Sequence, residues 1–131
     1  MIVVDSSVWI DLFNANGTRE ALWLRSIFGQ RAVAIPDLSV TEIVQGARSE
    51  RDFKFILSLI GMAPVIPTTD VHVAVEAARN YRHLRTKGHT IRKTIDTLIA
   101  TRCIMDGHEL LHSDRNFDPF VEHLGLRLAL A

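Results

Sequence analysis

Four acidic residues of this 131-residue sequence stand where a folded chain would bring carboxylates together. Asp5 and Asp114 follow short apolar runs that are typical of buried strands. Glu42 and Asp96 lie in the first turns of helices that are expected to start at the same edge of the sheet. Because ligands of parallel α/β sheets bind beyond the carboxyl ends of the strands, the four acids are predicted to share one site.

Each acid alone also has a structural interpretation, and taken singly that interpretation is the stronger. Asp5 can cap the helix that follows it, and Asp114 can form an Asx turn or cap the last helix. Residues 39–42 match a capping box, in which Glu42 would bond a backbone N–H. Asp96 sits where an acid favours the helix dipole. Only the joint pattern indicates chemistry.

A cluster of four carboxylates would carry strong mutual repulsion, which raises the pKa of some of its members. A divalent cation relieves that repulsion, and oxygen ligands without His or Cys alongside suit Mg²⁺ or Mn²⁺. Such a site performs hydrolytic displacement at phosphorus: one ion generates hydroxide, and a second, about 3.5–4 Å away, stabilises the leaving oxygen.

The six histidines do not indicate a competing zinc site. His83 and His89 are too far apart along a helix and loop to form a pair of ligands. His108 and His112 are four residues apart but across an expected strand, and no HExxH motif occurs. Solvent-facing or hydrogen-bonded histidines are the favoured interpretation.

The elements that must position the acids alternate between short apolar runs and segments of helical periodicity. Strands are predicted at residues 2–4, 32–35, 62–66, 109–112 and 126–128. Helices are predicted at residues 8–13, from Thr18 onward, after Pro36 to about 49, and at 52–60, 70–85, 94–105 and 115–124. The alternation favours an α/β fold, a parallel sheet covered by helices on both faces.

The composition, 47% hydrophobic and 23% charged, is that of an ordinary globular protein, and one domain is expected over residues 1–131. No apolar run approaches the roughly 18 residues that span a bilayer, and no signal-peptide pattern occurs, so a cytoplasmic location is expected. The formal net charge of zero argues against a nucleic-acid binder held by charge alone. The single Cys103 is expected to be a buried, unreactive thiol.

Four motifs, in this order and spacing, resemble those of one protein family. They are residues 3–11 (VVDSSVWID), residues 41–43 (TEI) followed by Gly46, residues 88–100 (GHTIRKTIDTLIA) and residues 110–117 (LLHSDRNF). Together they resemble the PIN-domain nucleases, and within them the VapC-type toxins of bacterial toxin–antitoxin pairs. The set of four is specific, whereas any one motif alone would be weak.

The resemblance implies a fold, an activity and partners. The fold would be a three-layer α/β/α sandwich with a parallel sheet of about four or five strands. The activity would be Mg²⁺- or Mn²⁺-dependent endoribonuclease cleavage that leaves a 5′-phosphate. The partners would be a cognate antitoxin, a second copy of the chain in a homodimer, and an RNA such as tRNA or ribosomal RNA.

The resemblance also assigns roles to the acids. All four would be catalytic, with Asp5 and Asp96 as the strongest candidates for metal ligands and Asp114 as a third. Glu42 and Asp114 would act through water or hold a second metal.

Three polar residues would support these acids. Ser6 is similar to the small hydroxyl residue that follows the family's first acid. Ser113 stands where Thr is common, which keeps the hydroxyl. Asn116 stands where a further Asp often appears, which removes one charge and puts a second metal in doubt.

Two further groups of residues are candidates for macromolecular contacts. Residues 79–93 hold six basic residues and no acid, and the composition alone slightly favours a solvated helix face. The resemblance to the PIN-domain nucleases implies RNA phosphate contacts for some of Arg85, Lys87, Arg92 and Lys93. Bulky residues of the first two helices are expected mainly in the core, and as a hypothesis one or two line a groove for an antitoxin helix: Trp9, Phe13 and Trp23.

Two alternatives stay open. A phosphatase with Asp5 as nucleophile usually needs a second Asp two residues on, where Ser7 stands here. A non-catalytic regulatory α/β binding module of the receiver type needs an Asp after a central apolar strand, and Asp52 is a poor match.

Overall fold

The expected parallel sheet is present in the computed structural model, which describes residues 1–130. Its five strands are β1 (Ile2–Val4), β2 (Val33–Pro36), β3 (Val65–Ile66), β4 (Glu109–Leu111) and β5 (Arg127–Leu128). Their order across the sheet is β3-β2-β1-β4-β5, and every neighbouring pair is parallel. The first strand is therefore central, with β2 on one side and β4 on the other.

Helices connect successive strands as the alternating pattern predicts. They are α1 (Ser6–Phe13), α2 (Arg19–Ile27), α3 (Asp37–Val44), α4 (Glu50–Ile60), α5 (Val71–Thr86), α6 (Thr94–Asp106) and α7 (Asp118–Leu124), with a 3₁₀ turn at Arg115–Phe117. The predicted fold class, an α/β sandwich with a parallel sheet, is thus confirmed. No helix in the described residues is long and apolar enough to cross a membrane.

The two faces of the sheet carry separate apolar cores. On β1, Ile2 and Val4 pack with α1, α2, α3 and α4, whereas Val3 packs on the opposite side with α6 and α7. Since both faces are covered, all three residues are buried, which explains why the strand is a continuous apolar run rather than an alternating one. Cys103 is buried in the second core, and burial raises the pKa of its thiol to about 12, as expected for an unreactive thiol.

The sequence predicted the start of α2 correctly and the start of α3 wrongly. The Thr18 hydroxyl accepts a hydrogen bond from the Ala21 N–H at 3.2 Å and so caps α2. The proposed capping box at residues 39–42 is wrong, because α3 already begins at Asp37 and Pro36 is its N-cap. Glu42 therefore lies in the interior of the helix, where its side chain is available for other contacts.

Three predicted elements are shorter than expected or interrupted. The helix predicted after Pro36 to about residue 49 ends at Val44, as α3. The strand predicted at 62–66 is reduced to β3, because α4 runs to Ile60 and residues 61–62 form a turn. The helix predicted at 115–124 is interrupted, because Asp114 caps a 3₁₀ turn and α7 starts afresh at Asp118. Pro119 stands in the first turn of α7, where a missing N–H removes no helical hydrogen bond.

The start of α3 is tied to the segment before α5 by one carboxylate. Asp37 Oδ1 accepts hydrogen bonds from the Thr68 hydroxyl at 2.6 Å, the Thr68 N–H at 2.9 Å and the Leu38 N–H at 2.8 Å. Burial acts to raise the pKa of Asp37, but these bonds together hold it below its usual value. Thr68 is fully buried, so its hydroxyl depends on this partner.

Replacing Thr68 by Val should lower the free energy of unfolding by about 1–2 kcal/mol, because the carboxylate loses its shortest bond. Urea unfolding followed by circular dichroism measures this. The matched control is Thr69→Val, since the Thr69 side chain is exposed. It should change stability by no more than about 0.5 kcal/mol. Equal effects of the two substitutions would contradict the proposed role of Thr68.

Candidate active site

The four predicted acids come from four different segments. Asp5 directly follows β1, and Asp114 follows the neighbouring strand β4. Glu42 lies on α3, which leaves the end of β2, and Asp96 lies in the first turn of α6. Asp5 and Asp96 are each only 3% exposed, and the other two are half-buried. The parallel register, which pairs Val4 with Leu111, brings the ends of β1 and β4 to the same edge.

Hydrogen bonds from neighbouring residues hold two of the carboxylates. The Ser6 hydroxyl donates to Glu42 Oε1 at 3.1 Å and so joins the start of α1 to α3. The Asn116 amide Nδ2 donates to Asp96 Oδ2 at 3.3 Å, while its backbone N–H donates to Asp114 Oδ1 at 2.9 Å. Ser6 and Asn116, both predicted to support the cluster, therefore contact its acids directly.

Ser7 is a positioning residue that the sequence analysis missed. Its hydroxyl donates to Asp5 Oδ2 at 2.6 Å, and its N–H donates to the same oxygen at 3.1 Å. The Ser113 N–H donates to the Ser7 hydroxyl at 3.2 Å, whereas the Ser113 hydroxyl donates to Asp11 Oδ2 at 3.3 Å. Ser113 thus reaches Asp5 only through Ser7. The sequence did contain a signal for this role. Ser7 stands in the first turn after Asp5, the N-cap residue of α1, and from that position both its hydroxyl and its N–H can donate to one carboxylate oxygen.

The two fixed contacts on Asp5 Oδ2 leave its other oxygen unpaired. Asp5 Oδ1 is buried and has no hydrogen-bond partner. A buried carboxylate oxygen without a partner is costly, because it has lost water and gained no donor. It therefore has a lone pair free for a cation.

Burial and neighbouring negative charges raise the pKa of two of the acids, Asp96 and Glu42. Burial, followed by the negative charge of Asp5, raises the pKa of Asp96 to about 6. Burial also raises the pKa of Glu42, with Asp5 and Asp114 adding to the effect against the Ser6 hydrogen bond. The charge of Lys93 acts in the opposite direction on both groups. The site is thus a concentrated negative region, and the charge of Lys93 partly offsets it.

These donors fit a hard divalent cation such as Mg²⁺ or Mn²⁺. The cluster offers carboxylate oxygens, one of which is buried without a partner, together with an amide side chain that already contacts Asp96. The nearest histidine, His112, uses Nδ1 to accept the Asp114 N–H at 3.1 Å, and burial lowers its pKa. His112 is therefore neutral at pH 7 and adds no cation to the site.

Among the predicted RNA contacts, Lys93 is the one whose charge acts on the acids, and it is the N-cap residue of α6. Arg85 lies over the Tyr81 ring, 5.8 Å from its centroid. Lys87 ends α5, and Arg92 is exposed in the connection to α6. All four residues precede the first turn of α6 in the sequence.

An apolar groove of about 580 Å³ lies on the α1, α2 and α4 side of the sheet. Its lining includes Trp9, which is 2% exposed and so mainly a core residue, and the half-buried Phe13. Trp23 is not part of the lining; the Arg31 guanidinium lies over its ring, 5.6 Å from the centroid. The other lining residues are Leu12, Arg25, Phe28, Phe55, Leu59 and Met62.

The profile of the PIN domain family matches residues 2–120, nearly the whole chain. The chain belongs to the PIN-domain family. Within that family it is similar to the VapC ribonuclease Mb1587 of Mycobacterium bovis and to ribonuclease VapC11 of Mycobacterium tuberculosis. Each is 30% identical over 131 residues, which is 98% of either chain. The resemblance to VapC-type PIN domains, found from the four motifs, is therefore confirmed.

Solved structures share the fold of this PIN domain. VapBC2 of Rickettsia felis, bound to a promoter DNA fragment, superposes with a TM-score of 0.76 at 18% identity, covering 98% of this chain and 97% of the other. A toxin–antitoxin complex from Klebsiella pneumoniae gives 0.71 at 20% identity, covering 96% and 95%. FitAcB of Neisseria gonorrhoeae gives 0.72 at 16% identity, covering 98% and 96%. Membership of the family favours a nuclease over a phosphatase or a receiver-like module.

Replacing Asp96 by Asn should stabilise the metal-free protein at about pH 8 but not at about pH 3. Because folding raises the pKa of Asp96 to about 6, the wild type loses stability as the pH rises through that value, whereas Asn does not titrate. Below the unfolded-state pKa, the carboxyl is neutral in both states, and the difference vanishes. Thermal unfolding in EDTA at both pH values measures it. A stability difference that is the same at both pH values would contradict the raised pKa.

Proposed function

We propose that this protein is a VapC-type toxin, a metal-dependent endoribonuclease that cleaves RNA and is neutralised by a cognate antitoxin. The observation that carries the proposal is that four acids near one sheet edge interact electrostatically, and that a buried oxygen of Asp5 among them has no partner. The ribonuclease names of the relatives support RNA as the substrate. A tRNA or ribosomal RNA target and a cytoplasmic location remain predictions.

In this proposal Mg²⁺ or Mn²⁺ is held by Asp5, Asp96 and Asp114. A bound divalent ion supplies water activation and neutralises charge at the scissile phosphate. Ser7 fixes Asp5 through Oδ2 and leaves Oδ1 without a partner, and Asn116 contacts both Asp96 and Asp114. These contacts orient the ligands before substrate arrives.

Glu42 is suited to proton transfer. Its raised pKa makes the carboxylate a better base than an exposed glutamate, and the Ser6 hydroxyl fixes its orientation through Oε1. We therefore assign Glu42 the role of accepting a proton from the attacking water. It lies on α3, whereas Asp5 and Asp114 follow strand ends.

The same acids would repel an RNA backbone, so the substrate needs compensating positive charge. Lys93 supplies it beside the acids, and the basic connection that precedes α6 extends it outward. The residues proposed to contact RNA phosphates are Arg85, Lys87, Arg92 and Lys93. Because the protein has no net charge, binding depends on this local arrangement rather than on overall attraction.

The apolar groove is proposed as the antitoxin contact. Phe55, on its rim, is 59% exposed, and Met62 is 66% exposed, so the groove leaves large apolar side chains in contact with solvent. The solved neighbours from Rickettsia felis and Klebsiella pneumoniae are described as VapBC2 and as a toxin–antitoxin complex, which supports an antitoxin as the occupant. Phe13 and Trp9 form its inner wall.

A homodimer is also proposed. A second apolar depression, between α5 and α6, is lined by small residues that allow close approach of another helix. Ala74, Ala77 and Ala78 line it on α5, and Leu98 lines it on α6. Arg82 and Arg85 lie at its border, which places the basic segment beside the proposed dimer contact.

Purified protein should cleave total RNA with Mg²⁺ or Mn²⁺ and not with EDTA. Asp5→Asn and Asp96→Asn should each lower the cleavage rate by at least about 100-fold, because each removes a charged ligand. Gel analysis of cleavage products measures the rate. The matched control is Glu50→Gln, an exposed acid at the start of α4, which should cleave at the wild-type rate. Activity that survives in both aspartate variants, or in EDTA, would contradict the proposal.

Phe55→Asp should weaken antitoxin binding by at least about tenfold, because it places a charge in the apolar groove. Isothermal titration calorimetry with the purified antitoxin measures the Kd. Leu22→Asp is the matched control, since Leu22 is 56% exposed on α2 but does not line the groove. An unchanged Kd for Phe55→Asp, or equal losses in both variants, would contradict the assignment of this groove.

A further inference from the structure

Three metal-binding side chains lie together outside the acidic cluster. His89 is in the connection between α5 and α6, and Glu122 and His123 are in the last turn of α7. The two histidines are 34 residues apart in the sequence. One ligand atom from each of the three residues lies within 4.8 Å of the others. This set, named the His–Glu cluster here, shares no residue with the acidic cluster.

The distances in the His–Glu cluster match those between ligands of one ion. His89 Nε2 and His123 Nε2 are 3.3 Å apart, and Glu122 Oε2 is 3.7 Å from His123 Nε2. Two nitrogens bound at about 2.0–2.1 Å to a tetrahedral ion lie roughly 3.3–3.4 Å apart. The ring centroids are 5.2 Å apart, so the imidazoles direct their Nε2 edges toward one another instead of stacking.

The backbone holds both histidines in place. The His89 N–H donates to the Leu84 carbonyl at 2.9 Å, directly after Gly88, whose φ of +87° turns the chain back toward α5. On the other side, α7 ends at Gly125, which has a φ of +74° and caps the helix. Both histidines are half-buried, so fewer side-chain conformations compete with the observed one.

We propose that His89, Glu122 and His123 form a Zn²⁺ site. Two imidazoles and one carboxylate are a donor set that zinc accepts with a water as the fourth ligand, whereas Mg²⁺ disfavours imidazole. The two clusters therefore favour different ions. The carboxylate oxygens at the sheet edge suit Mg²⁺ or Mn²⁺, whereas the imidazole nitrogens of the His–Glu cluster suit Zn²⁺.

Zinc at this site joins α7 to the connection that leads into α6. That connection carries the buried Ile91 and then Lys93, the residue beside the acids, before the first turn that contains Asp96. The ion therefore anchors the segment that precedes the third acid. Its effect is to stabilise the folded chain, because the unfolded chain does not hold the three ligands together.

Zinc titration of the chelator-treated, full-length protein tests the proposal. Calorimetry should show one site at the cluster, and Zn²⁺ should raise the Tm. His89→Ala and His123→Ala should each lower the zinc affinity by at least about tenfold, and Glu122→Gln, at an exposed position, should lower it without a risk to folding. Tetrahedral Co²⁺ absorption should appear in the wild type and be lost in the histidine variants.

Two control variants separate this site from others. His72→Ala removes an exposed histidine elsewhere, and Asp5→Asn alters the acidic cluster; both should retain the zinc affinity and the Co²⁺ spectrum of the wild type. Zinc affinity that is unchanged in His89→Ala, His123→Ala and Glu122→Gln would overturn the proposal and leave only a hydrogen bond between two imidazoles. Loss of zinc binding in Asp5→Asn alone would likewise overturn it.

Discussion

Burial of carboxylates beside one another is unfavourable, because each loses water and meets the charge of the next. The PIN fold of this chain places Asp5 and Asp96 in that situation, each nearly inaccessible to solvent. Hydrogen bonds from Ser7 and Asn116 offset part of the cost, but one oxygen of Asp5 receives none. A divalent cation bound at this oxygen, as proposed above, would relieve the residual cost.

The central strand β1 is what makes this arrangement possible. Its neighbours β2 and β4 are both parallel to it. The start of α3, after β2, and the turn at Asp114, after β4, therefore lie at the same edge of the sheet as Asp5. The three residues of β1 divide between the two apolar cores, so both faces of the sheet are covered at this strand, and Asp5 follows at its carboxyl end. Apolar packing and the polar site thus depend on the same short strand.

Local sequence was sufficient for most elements but misplaced several boundaries. The cap at Thr18 and the alternation of strands and helices were predictable, because they depend on neighbours in sequence. The capping box predicted at residues 39–42 was wrong, because Pro36 is the N-cap and α3 begins at Asp37. Glu42 instead accepts a hydrogen bond from Ser6, which is 36 residues away in the sequence. Ser6 belongs to α1, so this hydrogen bond joins two helices and cannot be predicted from the residues next to Glu42.

The sequence by itself determined the alternating fold, the four acids and the family, because these depend on residue types and on spacing along the chain. Only the tertiary structure decided how the acids are held: that Ser7 occupies one oxygen of Asp5 and leaves the other unpaired, and that burial raises the pKa of Asp96 to about 6. It also placed His89 against His123, a pair that spacing gave no reason to join. The physical reason is that desolvation and long-range contacts exist only once the chain has folded.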